Sequence, residues 1–553
     1  MDLEKNWEEI HRLRTRWLDV QSPDDSDWPA RGIAIEGDFA GIQNFVLKPV
    51  PGARGAAKRL RGRSLQVSAL TELFAREVEL AAPGAKMFYA AGGRFLASAP
   101  DSPAIPGLLA GLQRRIDEWI GCEFRGEVTF HLVCAPFSDG RIPRVRLREE
   151  MTRRKSRALE GFLLTPDGQW DEGRFLRAAG GEPGDEPFDC PACRTTANKK
   201  HPQADEQGAD ICGECDRDKR LGKRLAHTGR AGIARDADGE IPFLDGARYT
   251  ISDSGSLTAH VIHHMPKEGG NPLTLEEIAA KSAGSRKWLA FLRLDGDKVG
   301  QEFEKLHDSP ARVRALSGLL QKFYCDRVQL LLTSGRPEHR DYKWIYPVYG
   351  GGDDLFVIGP WNIVIDFAAE LATEFHKATQ GKLSFSAGVA LSKPRQHILA
   401  MSDEADAGLN DFAKKAEGKR SIRVFGETFS WVEFERVMRT ARKVSNWYND
   451  GLIPSRLLHI LIALHEESRR APAGTAIAAR YRPLLHYQTH RNLNRREQQG
   501  VLGWFDRIVG QEDGRASRSS GDGEGDAGRW SEIGFAARYA MLAAAKDLSE
   551  DNE

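Results

Sequence analysis

The sequence predicts an α+β protein with two ferredoxin-like palm domains, a zinc-binding insert between them and an all-helical C-terminal domain. Three observations predict this fold class. Two distant stretches repeat one pattern of glycines, acids and apolar strands. Four cysteines cluster between the two stretches. After residue 430 the apolar spacing is helical and no strand signal recurs.

The repeat combines a Gly-Asp turn with a later pair of glycines between two apolar segments. The first copy reads Gly37-Asp38-x-x-Gly41 and then Gly92-Gly93. The second copy reads Gly296-Asp297-x-x-Gly300 and then Gly351-Gly352. In both copies the first glycines of the two elements lie 55 positions apart. A repeated spacing of this kind indicates an internal duplication.

Both copies show a strand, a helix, a hairpin, a helix and a strand in that order. This order is typical of a ferredoxin-like palm. The copies differ in their acids. With the glycines aligned, Arg94 and Phe95 stand where the second copy has Asp353 and Asp354. We therefore expect only the second copy to bind metal ions.

These patterns divide the chain into five parts. They are an N-terminal helical segment over 1–28, a degenerate palm over 29–175, a zinc-binding and linking domain over 176–280, a catalytic palm over 281–430 and a helical domain over 431–553. Within the last part, a Gly/Ser/Asp-rich stretch at about 511–528 predicts a disordered loop.

Composition limits the possible partners. The 553 residues carry 79 basic and 79 acidic side chains, so no overall charge attracts the chain to nucleic acid or a membrane. The sequence has no apolar run long enough to span a bilayer and no apolar signal-peptide core, which predicts a cytoplasmic protein.

The second glycine pair leads directly into Asp353 and Asp354. Glycine allows the tight turn and lets a phosphate approach the backbone. The upstream strand ends in Asp295-Gly296-Asp297 and is expected to bring a third carboxylate, Asp295, beside them. Clustered acids repel one another unless a cation lies between them, and Mg²⁺ or Mn²⁺ prefers such oxygen ligands. A solvated turn is the alternative. Asp297 is the weaker candidate because Asp38 occupies the matching place in the first copy.

The cysteine cluster consists of Cys190-x-x-Cys193 and Cys212-x-x-Cys215, with eighteen residues between the pairs. Two such knuckles complete a tetrahedron of thiolates around Zn²⁺. Four thiolates leave no open position, so we expect a structural zinc site. A redox dithiol would not need the second pair.

Two basic segments are candidates for phosphate binding. The first lies close to the first glycine loop and comprises Lys48, Arg54, Lys58, Arg59, Arg61 and Arg63. The glycines between these residues, such as Gly62, would let the chain wrap a phosphate, and a solvated basic face is an equal alternative. Lys414 lies near the end of a helix after the second palm, where it either reaches a triphosphate or serves as a helix-terminal cation.

Taken together, these motifs resemble the large palm-domain subunit of type III CRISPR–Cas effector complexes, the Cas-ten family, of the Csm type. The resemblance runs from about residue 30 to 500. It rests on the ordered combination of Gly37–Gln43, Leu60–Ser64, Gly92-Gly93, the four cysteines with the following Leu221–Leu225, Leu294–Gly300, Gly351–Asp354, Ser384–Gly388 and Val424–Trp431.

The resemblance implies two facing cyclase-like palms that bind two ATP molecules across their interface. The palm with the acidic pair would join ATP into cyclic oligoadenylates when guide RNA in the assembled complex pairs with target RNA. Asp295, Asp353 and Asp354 would be the catalytic metal ligands. The implied nucleotide-binding residues are Asp38, Gly41, Gln43, Ser64, Gly92, Gly93, Asp297, Gly351, Gly352, Ser386 and Lys414. The implied partners are guide and target RNA and the Cas5-like, Cas7-like and small helical subunits.

Many members of this family begin with an HD nuclease domain. No His-Asp dyad stands among the roughly thirty residues before the first palm, so we expect no DNase activity of that type. Two further hypotheses stay open. One is a scaffold subunit that binds RNA and whose palm is idle. The other is a stand-alone nucleotide cyclase, which the pairing of an active with a degenerate copy disfavours.

Overall fold

The structure is a computed structural model. The residues that it describes are 3–19, 27–47, 55–165, 167–174, 188–197, 200–201, 208–306, 308–334, 340–396, 398–472, 475–494, 496–510 and 529–544. The predicted loop at 511–528 lies outside them, and so do Lys48 and Arg54 of the predicted phosphate-binding segment.

The first palm is a four-stranded antiparallel sheet covered by two long helices. Its strands lie in the order β2-β3-β1-β4, which is the ferredoxin-like order. The elements up to this point are α1 (Leu3–Leu18), β1 (Gly32–Ala40), α2 (Ile42–Val46), α3 (Ala56–Ala81), β2 (Lys86–Ala91), β3 (Arg94–Ala99), α4 (Ile105–Phe124), β4 (Thr129–Phe137), α5 (Arg144–Lys155) and α6 (Glu160–Leu163).

The region between the palms contains short strands and one long helix. Its elements are β5 (Phe188–Asp189), β6 (Thr196–Ala197), β7 (Lys200–His201), β8 (Ile211–Cys212), α7 (Gly213–Leu225), β9 (Gly232–Arg235), β10 (Ile241–Pro242), β11 (Arg248–Ser252), β12 (Leu257–Thr258), β13 (Lys267–Glu268), β14 (Asn271–Pro272) and α8 (Leu275–Ala279). Helix α7 crosses α3 at two glycines, where Gly62 meets the backbone of Asp218 and Gly222 meets that of Lys58. Neither glycine leaves room for a side chain, so this crossing fixes the insert to the first palm.

The second palm repeats the same strand order in a six-stranded sheet, β16-β17-β15-β18-β19-β20. Its elements are β15 (Leu289–Asp297), α9 (Val299–Lys305), α10 (Pro310–Gln321), a π-helical turn (Lys322–Arg327), α11 (Val328–Thr333), β16 (Tyr346–Gly351), β17 (Asp354–Pro360), α12 (Trp361–Thr379), β18 (Ser384–Ser392), α13 (Ile398–Ala407), a second π-helical turn (Gly408–Phe412), β19 (Ser421–Val424) and β20 (Glu427–Ser430).

The registers of the two sheets show which residues are equivalent. Strand β1 pairs Asp38 with Arg94, and β15 pairs Asp295 with Asp354. The next amide donates a 2.9 Å hydrogen bond to the hairpin turn in both palms, from Phe39 to the carbonyl oxygen of Gly93 and from Gly296 to that of Asp353. Asp38, Gly93 and Arg94 are therefore the counterparts of Asp295, Asp353 and Asp354.

This equivalence corrects the alignment based on the 55-position spacing. That alignment matched Asp38 with Asp297 and placed Arg94 and Phe95 opposite the acidic pair. The connection from the first strand to the hairpin is three residues longer in the second palm, 298–345 against 41–85. The duplication is real, but the equal glycine spacing does not join equivalent positions.

The C-terminal part is helical throughout the residues that are described, as predicted. Its helices are α14 (Trp431–Asn449), α15 (Ser455–Arg470), α16 (Ala476–Ala479), α17 (Tyr481–Asn492), α18 (Gln499–Gly510) and α19 (Trp530–Ala543). Helix α14 begins with a capping box between Ser430 and Glu433. One apolar core joins these helices to the second palm and to α1, and another joins the first palm, the linking region and the second sheet. Among the described helices none combines the length and the apolar character needed to cross a membrane.

Candidate active site between two palms

Three carboxylates meet where β15 ends and the hairpin of the second palm turns. Asp295 and Asp354 are cross-strand neighbours, and Asp353 lies in the turn. One oxygen from each lies within 4.8 Å of the others. The pairing of the strands thus brings together the three acids that the sequence singled out.

The environment of Asp353 and Asp354 disfavours their charged forms. Burial, followed by the negative charge of Asp354, raises the pKa of Asp353 to about 7. Burial raises the pKa of Asp354 to about 6, although the nearby Arg293 opposes this shift. A divalent cation held by all three oxygens would remove this repulsion. The donor set is hard oxygen, so the residues present fit Mg²⁺ or Mn²⁺.

Lys414 supplies positive charge at this cluster. Its ammonium group contacts the Asp295 carboxylate. Burial and the neighbouring Lys419 lower the pKa of Lys414 to about 8 in spite of that contact. Lys414 therefore partly neutralises Asp295, and its side chain, about one-quarter exposed, reaches the edge of the cluster.

The equivalent position in the first palm has lost its acids. Gly93 has no side chain, and Arg94 donates to Glu36 at 2.7 Å and lies 3.7 Å from Asp38. Lys155 from α5 donates to Asp38 at 2.6 Å. Asp38, the one carboxylate of the triad that the first palm retains, is thus paired with the cationic side chains of Arg94 and Lys155. Among the residues described in the first palm, no three acids cluster as they do in the second.

A cleft of about 510 Å³ lies between the two palms, beside the hairpin turns. Its volume lies within the range of small-ligand sites. The polar and glycine lining comes from both palms and from α5: Glu36, Asp38, Tyr89, Gly92, Arg94, Arg144, Arg148, Gly300, Glu304, Ser317, Gly352 and Asp353.

Arg144 is the residue of this lining that indicates which kind of ligand the cleft favours. Its Nε and one terminal nitrogen are buried and have no hydrogen-bond partner among the described residues. Its guanidinium lies over the ring of Phe303, 5.7 Å from the centroid. A buried donor without an acceptor is costly, so this part of the cleft favours an anionic ligand.

Four of the predicted nucleotide-binding residues are the turn glycines that face one another. Gly92 and Gly352 both have positive φ, of 60° and 64°, and their backbones are in contact. Gly93 and Gly351 flank them, and the Cα of Gly92 lies 3.8 Å from the site of a Cβ on Gly351. These glycines allow the two hairpins to approach each other at the mouth of the cleft.

Asp297 and Ser386 are hydrogen-bonded to each other. Asp297 is buried and accepts hydrogen bonds from the hydroxyls of Ser384 and Ser386 and from the amide of Arg420, all at 2.9–3.1 Å. Ser386 is fully buried. A nucleotide contact by either residue stays a prediction, whereas the structure gives both a role in holding the end of β15.

The other predicted contacts lie in the first palm. Gly41 has a φ of 83° and begins the short helix α2, on which Gln43 is exposed. Ser64 is half-buried on α3. These three residues do not line the described cleft.

The basic segment around Leu60–Ser64 is part of helix α3 and does not form a phosphate-binding loop. Arg61 donates to the carbonyl oxygens of residues 262–264, and Arg63 donates to Asp218 at 2.8 Å. Arg59 is fully buried. Gly62 serves the helix crossing, so the glycine that suggested a loop marks a close contact between helices.

The four cysteines form a buried cluster. Their Sγ atoms all lie within 4.8 Å of one another, and those of Cys193 and Cys212 are 3.7 Å apart. Zn–S bonds of about 2.3 Å in a tetrahedron place sulfurs about 3.8 Å apart, whereas a disulfide would need about 2 Å. The cluster of Cys190, Cys193, Cys212 and Cys215 therefore fits zinc.

The charges around this cluster support the same fit. All three side-chain nitrogens of Arg59 are buried without a hydrogen-bond partner within the described ranges. Burial lowers the pKa of Arg59, whereas the nearby Cys215 and Cys190 raise it. Arg63 donates to the Cys215 sulfur at 3.9 Å. Four thiolates with one Zn²⁺ carry a net charge of about −2, which the Arg59 guanidinium would partly balance, since Arg63 is already paired with Asp218.

Sequence reasoning missed two residues beside the acids. Arg144 lies on a basic helix that carries no recognisable motif. The hydroxyl of Tyr324 is buried without a partner in the described parts of the chain, and its pKa is raised well above its usual range by burial and by Asp353, Asp354 and Asp297. Tyr324 lies on the first π-helical turn, a distortion that is frequent at functional sites.

The geometry defines a double-palm protein with one intact acidic site facing a degenerate one. Two family models match the chain. "Cas10/Cmr2, second palm domain" matches residues 288–423, and "Csm1 subunit domain B" matches residues 33–160. These matches show that the two palms are similar to domains of the Cas10/Csm1 family.

Curated relatives show the same similarity. The chain is 26% identical over 471 residues to "CRISPR system single-strand-specific deoxyribonuclease Cas10/Csm1 (subtype III-A)" of Thermococcus onnurineus, which covers 74% of this chain and 58% of the relative. The protein of the same name from Mycobacterium tuberculosis is 26% identical over 455 residues, covering 72% and 54%. The chain thus spans little more than half the length of these relatives.

Solved structures share the fold. The "Csm1-Csm4 cassette in complex with one ATP" and the same cassette "in complex with cA3" each have a TM-score of 0.68 and 19% sequence identity. Each match covers 96% of this chain and 72% of the other chain.

Proposed function

We propose that this chain is an ATP-dependent nucleotidyltransferase that makes cyclic oligoadenylates as a subunit of a type III-A CRISPR effector. The observation that carries the proposal is the cluster of Asp295, Asp353 and Asp354, of which Asp353 lines a cleft shared with a palm that lacks two of these acids. One intact site facing a disabled one suits a reaction in which a second nucleotide is held opposite the acids.

Asp295, Asp353 and Asp354 would hold the metal ions. When bound, two divalent ions supply an activated ribose hydroxyl and charge neutralisation for the departing pyrophosphate. The protein's remaining contribution is positioning. The turn glycines let phosphates approach the backbone, and Arg144 offers two buried donors in the lining of the same cleft. The contact with the Lys414 ammonium group restrains the carboxylate of Asp295.

The same proposal extends to the partners. The similar structures are titled as Csm1–Csm4 cassettes, one of them "in the type III-A CRISPR-Csm interference complex". We propose that this chain likewise assembles with Csm-type subunits, namely Cas5-like, Cas7-like and small helical proteins, on guide RNA. Pairing with target RNA would activate the palm site. The zinc site between the palms is structural in this proposal.

The decisive experiment supplies ATP and Mg²⁺ to the assembled complex with guide and target RNA. The wild type should release pyrophosphate and yield cyclic products detectable by mass spectrometry. Asp353→Ala with Asp354→Ala should reduce both to background without affecting assembly. Asp411→Asn is the matched control, because Asp411 is an exposed acid of the same palm paired with Lys415. Undiminished synthesis by the double variant would refute the proposal.

Two results would favour other functions. A wild-type complex that assembles on RNA but releases no pyrophosphate would favour the idle scaffold. The names of the curated relatives include a single-strand-specific deoxyribonuclease activity. Single-stranded DNA should therefore be tested in the same reactions, where cleavage would contradict the expected lack of DNase activity.

A further inference from the structure

A third group of potential metal ligands lies in the C-terminal helical region. His486 and His490 lie one turn apart on α17, so they share a face of that helix. Asp506 lies on the adjacent helix α18. His486 Nδ1 is 3.1 Å from Asp506 Oδ1, and His490 Nε2 is 3.1 Å and 3.3 Å from the two carboxylate oxygens.

The three side chains converge as ligands of one ion would. One atom from each lies within 4.8 Å of the others, and the two imidazole rings are 4.2 Å apart between centroids. Zinc–nitrogen and zinc–oxygen bonds of about 2.0–2.1 Å in a tetrahedron place the ligand atoms about 3.3–3.4 Å apart. The observed nitrogen–oxygen distances are close to this value.

We propose that His486, His490 and Asp506 form a binding site for a divalent transition-metal ion, with Zn²⁺ as the best-fitting species. Two imidazoles and one carboxylate are a donor set of intermediate softness, which suits Zn²⁺ better than Mg²⁺. Three protein ligands leave a coordination position open to water, and His486 and Asp506 are both more than one-third exposed. The ion would join α17 to α18 across the connection at 493–498.

This site differs in chemistry from the two others. The cysteine cluster is buried and all-sulfur, and the palm cluster is all-oxygen. The inference does not depend on the proposed nucleotidyltransferase activity. A binding measurement can therefore fail while synthesis is intact, or succeed while synthesis is absent.

The test is a Zn²⁺ titration of the full chain that already contains zinc on its cysteines, in a buffer with excess Mg²⁺ to occupy the palm acids. Calorimetry should show one further equivalent of Zn²⁺ in the wild type. His486→Ala and Asp506→Asn should each weaken this binding by more than about tenfold, since even losing an outer-shell partner of a metal ligand costs about 10- to 100-fold. The control is His459→Ala, which removes an exposed histidine from the neighbouring α15.

A second readout covers variants that fold poorly. Added Zn²⁺ should raise the melting temperature of the wild type and of His459→Ala, but not of His486→Ala. His486 is mostly exposed, so its truncation leaves the apolar core in place. Absence of the additional equivalent in the wild type would overturn the proposal. So would equal Zn²⁺ affinity in the wild type and the two ligand variants, which would mean that the histidines only hydrogen-bond to Asp506.

Discussion

Gly92 of the first palm and Gly352 of the second touch backbone to backbone. A Cβ built on Gly92 would lie 3.2 Å from both the Cα and the amide nitrogen of Gly352. Both residues also have a positive φ that side chains rarely adopt. The two hairpins therefore approach this closely because neither carries a side chain at the contact.

Gly92→Ala should therefore impair the proposed reaction more than it impairs folding. The left-handed backbone alone costs about 1–2 kcal/mol for a residue with a Cβ. The added methyl group would also push Gly352 and the adjoining Asp353 away from the first palm. We expect a lower kcat for ATP conversion by the assembled complex, with a melting temperature within a few degrees of the wild type.

Gly107→Ala is the matched control for this substitution. Gly107 lies in helix α4 of the same palm, and nothing lies within 4 Å of a Cβ built there. Replacing a helical glycine in open space should stabilise the fold by up to about 1 kcal/mol and leave synthesis unchanged. If Gly92→Ala were as active as Gly107→Ala, the hairpin contact would have no part in the reaction.

Much of the fold could be predicted from the sequence because its signals are local. Apolar periodicity predicted the strand and helix order of both palms, and the two Cys-x-x-Cys knuckles predicted the cysteine cluster. Asp295 could be placed beside Asp353 and Asp354 because the ends of adjacent strands in a sheet meet. Each of these inferences needs only the period of an element or the pairing of neighbours.

The remaining features depend on the lengths of connections and on tertiary packing, which no sequence motif reveals. The alignment of Asp38 with Asp297 failed because the connection from the first strand to the hairpin differs by three residues, which is invisible when only glycines are matched. Gly62 suggested a loop, yet its function is to let α7 cross α3. Arg144 reaches the cleft from a helix that follows the first palm, and this placement is set by tertiary packing alone.

Asp295 and Asp297 should respond to alanine substitution in opposite ways, although they are two residues apart. Asp297 is buried and accepts hydrogen bonds from two serine hydroxyls and one amide. Removing it leaves these donors unpaired, which should cost about 2–4 kcal/mol of folding stability. Asp295 belongs to a group of mutually repelling acids, so Asp295→Ala should leave stability nearly unchanged and abolish synthesis.

Thermal denaturation and pyrophosphate release measured on the same two variants separate these roles. The comparison also tests the prediction that Asp297 binds nucleotide. A stable Asp297→Ala protein with a raised KM for ATP would support a direct contact. A destabilised protein whose KM is unchanged at low temperature would assign Asp297 to the scaffold of the site.

Arg144→Ala should raise the KM for ATP by about tenfold or more, since a charged hydrogen bond to a ligand is worth about 1.5–3 kcal/mol. Its buried donors have no partner in the described residues, so the substitution removes no internal hydrogen bond of that side chain. Arg146→Ala is the control, because Arg146 lies on the same helix and is exposed. Equal KM values for the two variants would show that Arg144 does not face the nucleotide.

The Zn²⁺ affinity of the cysteine cluster should depend on Arg59, which is not one of the ligands. Arg59 is fully buried beside the cysteine cluster with every side-chain nitrogen unpartnered in the described part of the chain, and its burial lowers its pKa. With four thiolates and Zn²⁺ present, the guanidinium has a negative neighbour. Without them, its charge is buried alone. Arg59→Met keeps the length of the side chain and removes that charge.

We therefore expect Arg59→Met to weaken Zn²⁺ binding by about 10- to 100-fold, the usual effect of losing a partner next to metal ligands. Competition with a coloured chelator measures this affinity directly. Arg220→Met is the control, because Arg220 is half-exposed on α7 and pairs with Asp216. The same substitution should make the metal-free protein more stable, since an isolated buried charge disappears. Weaker Zn²⁺ binding together with a less stable metal-free protein would instead mean that Arg59 is needed for packing.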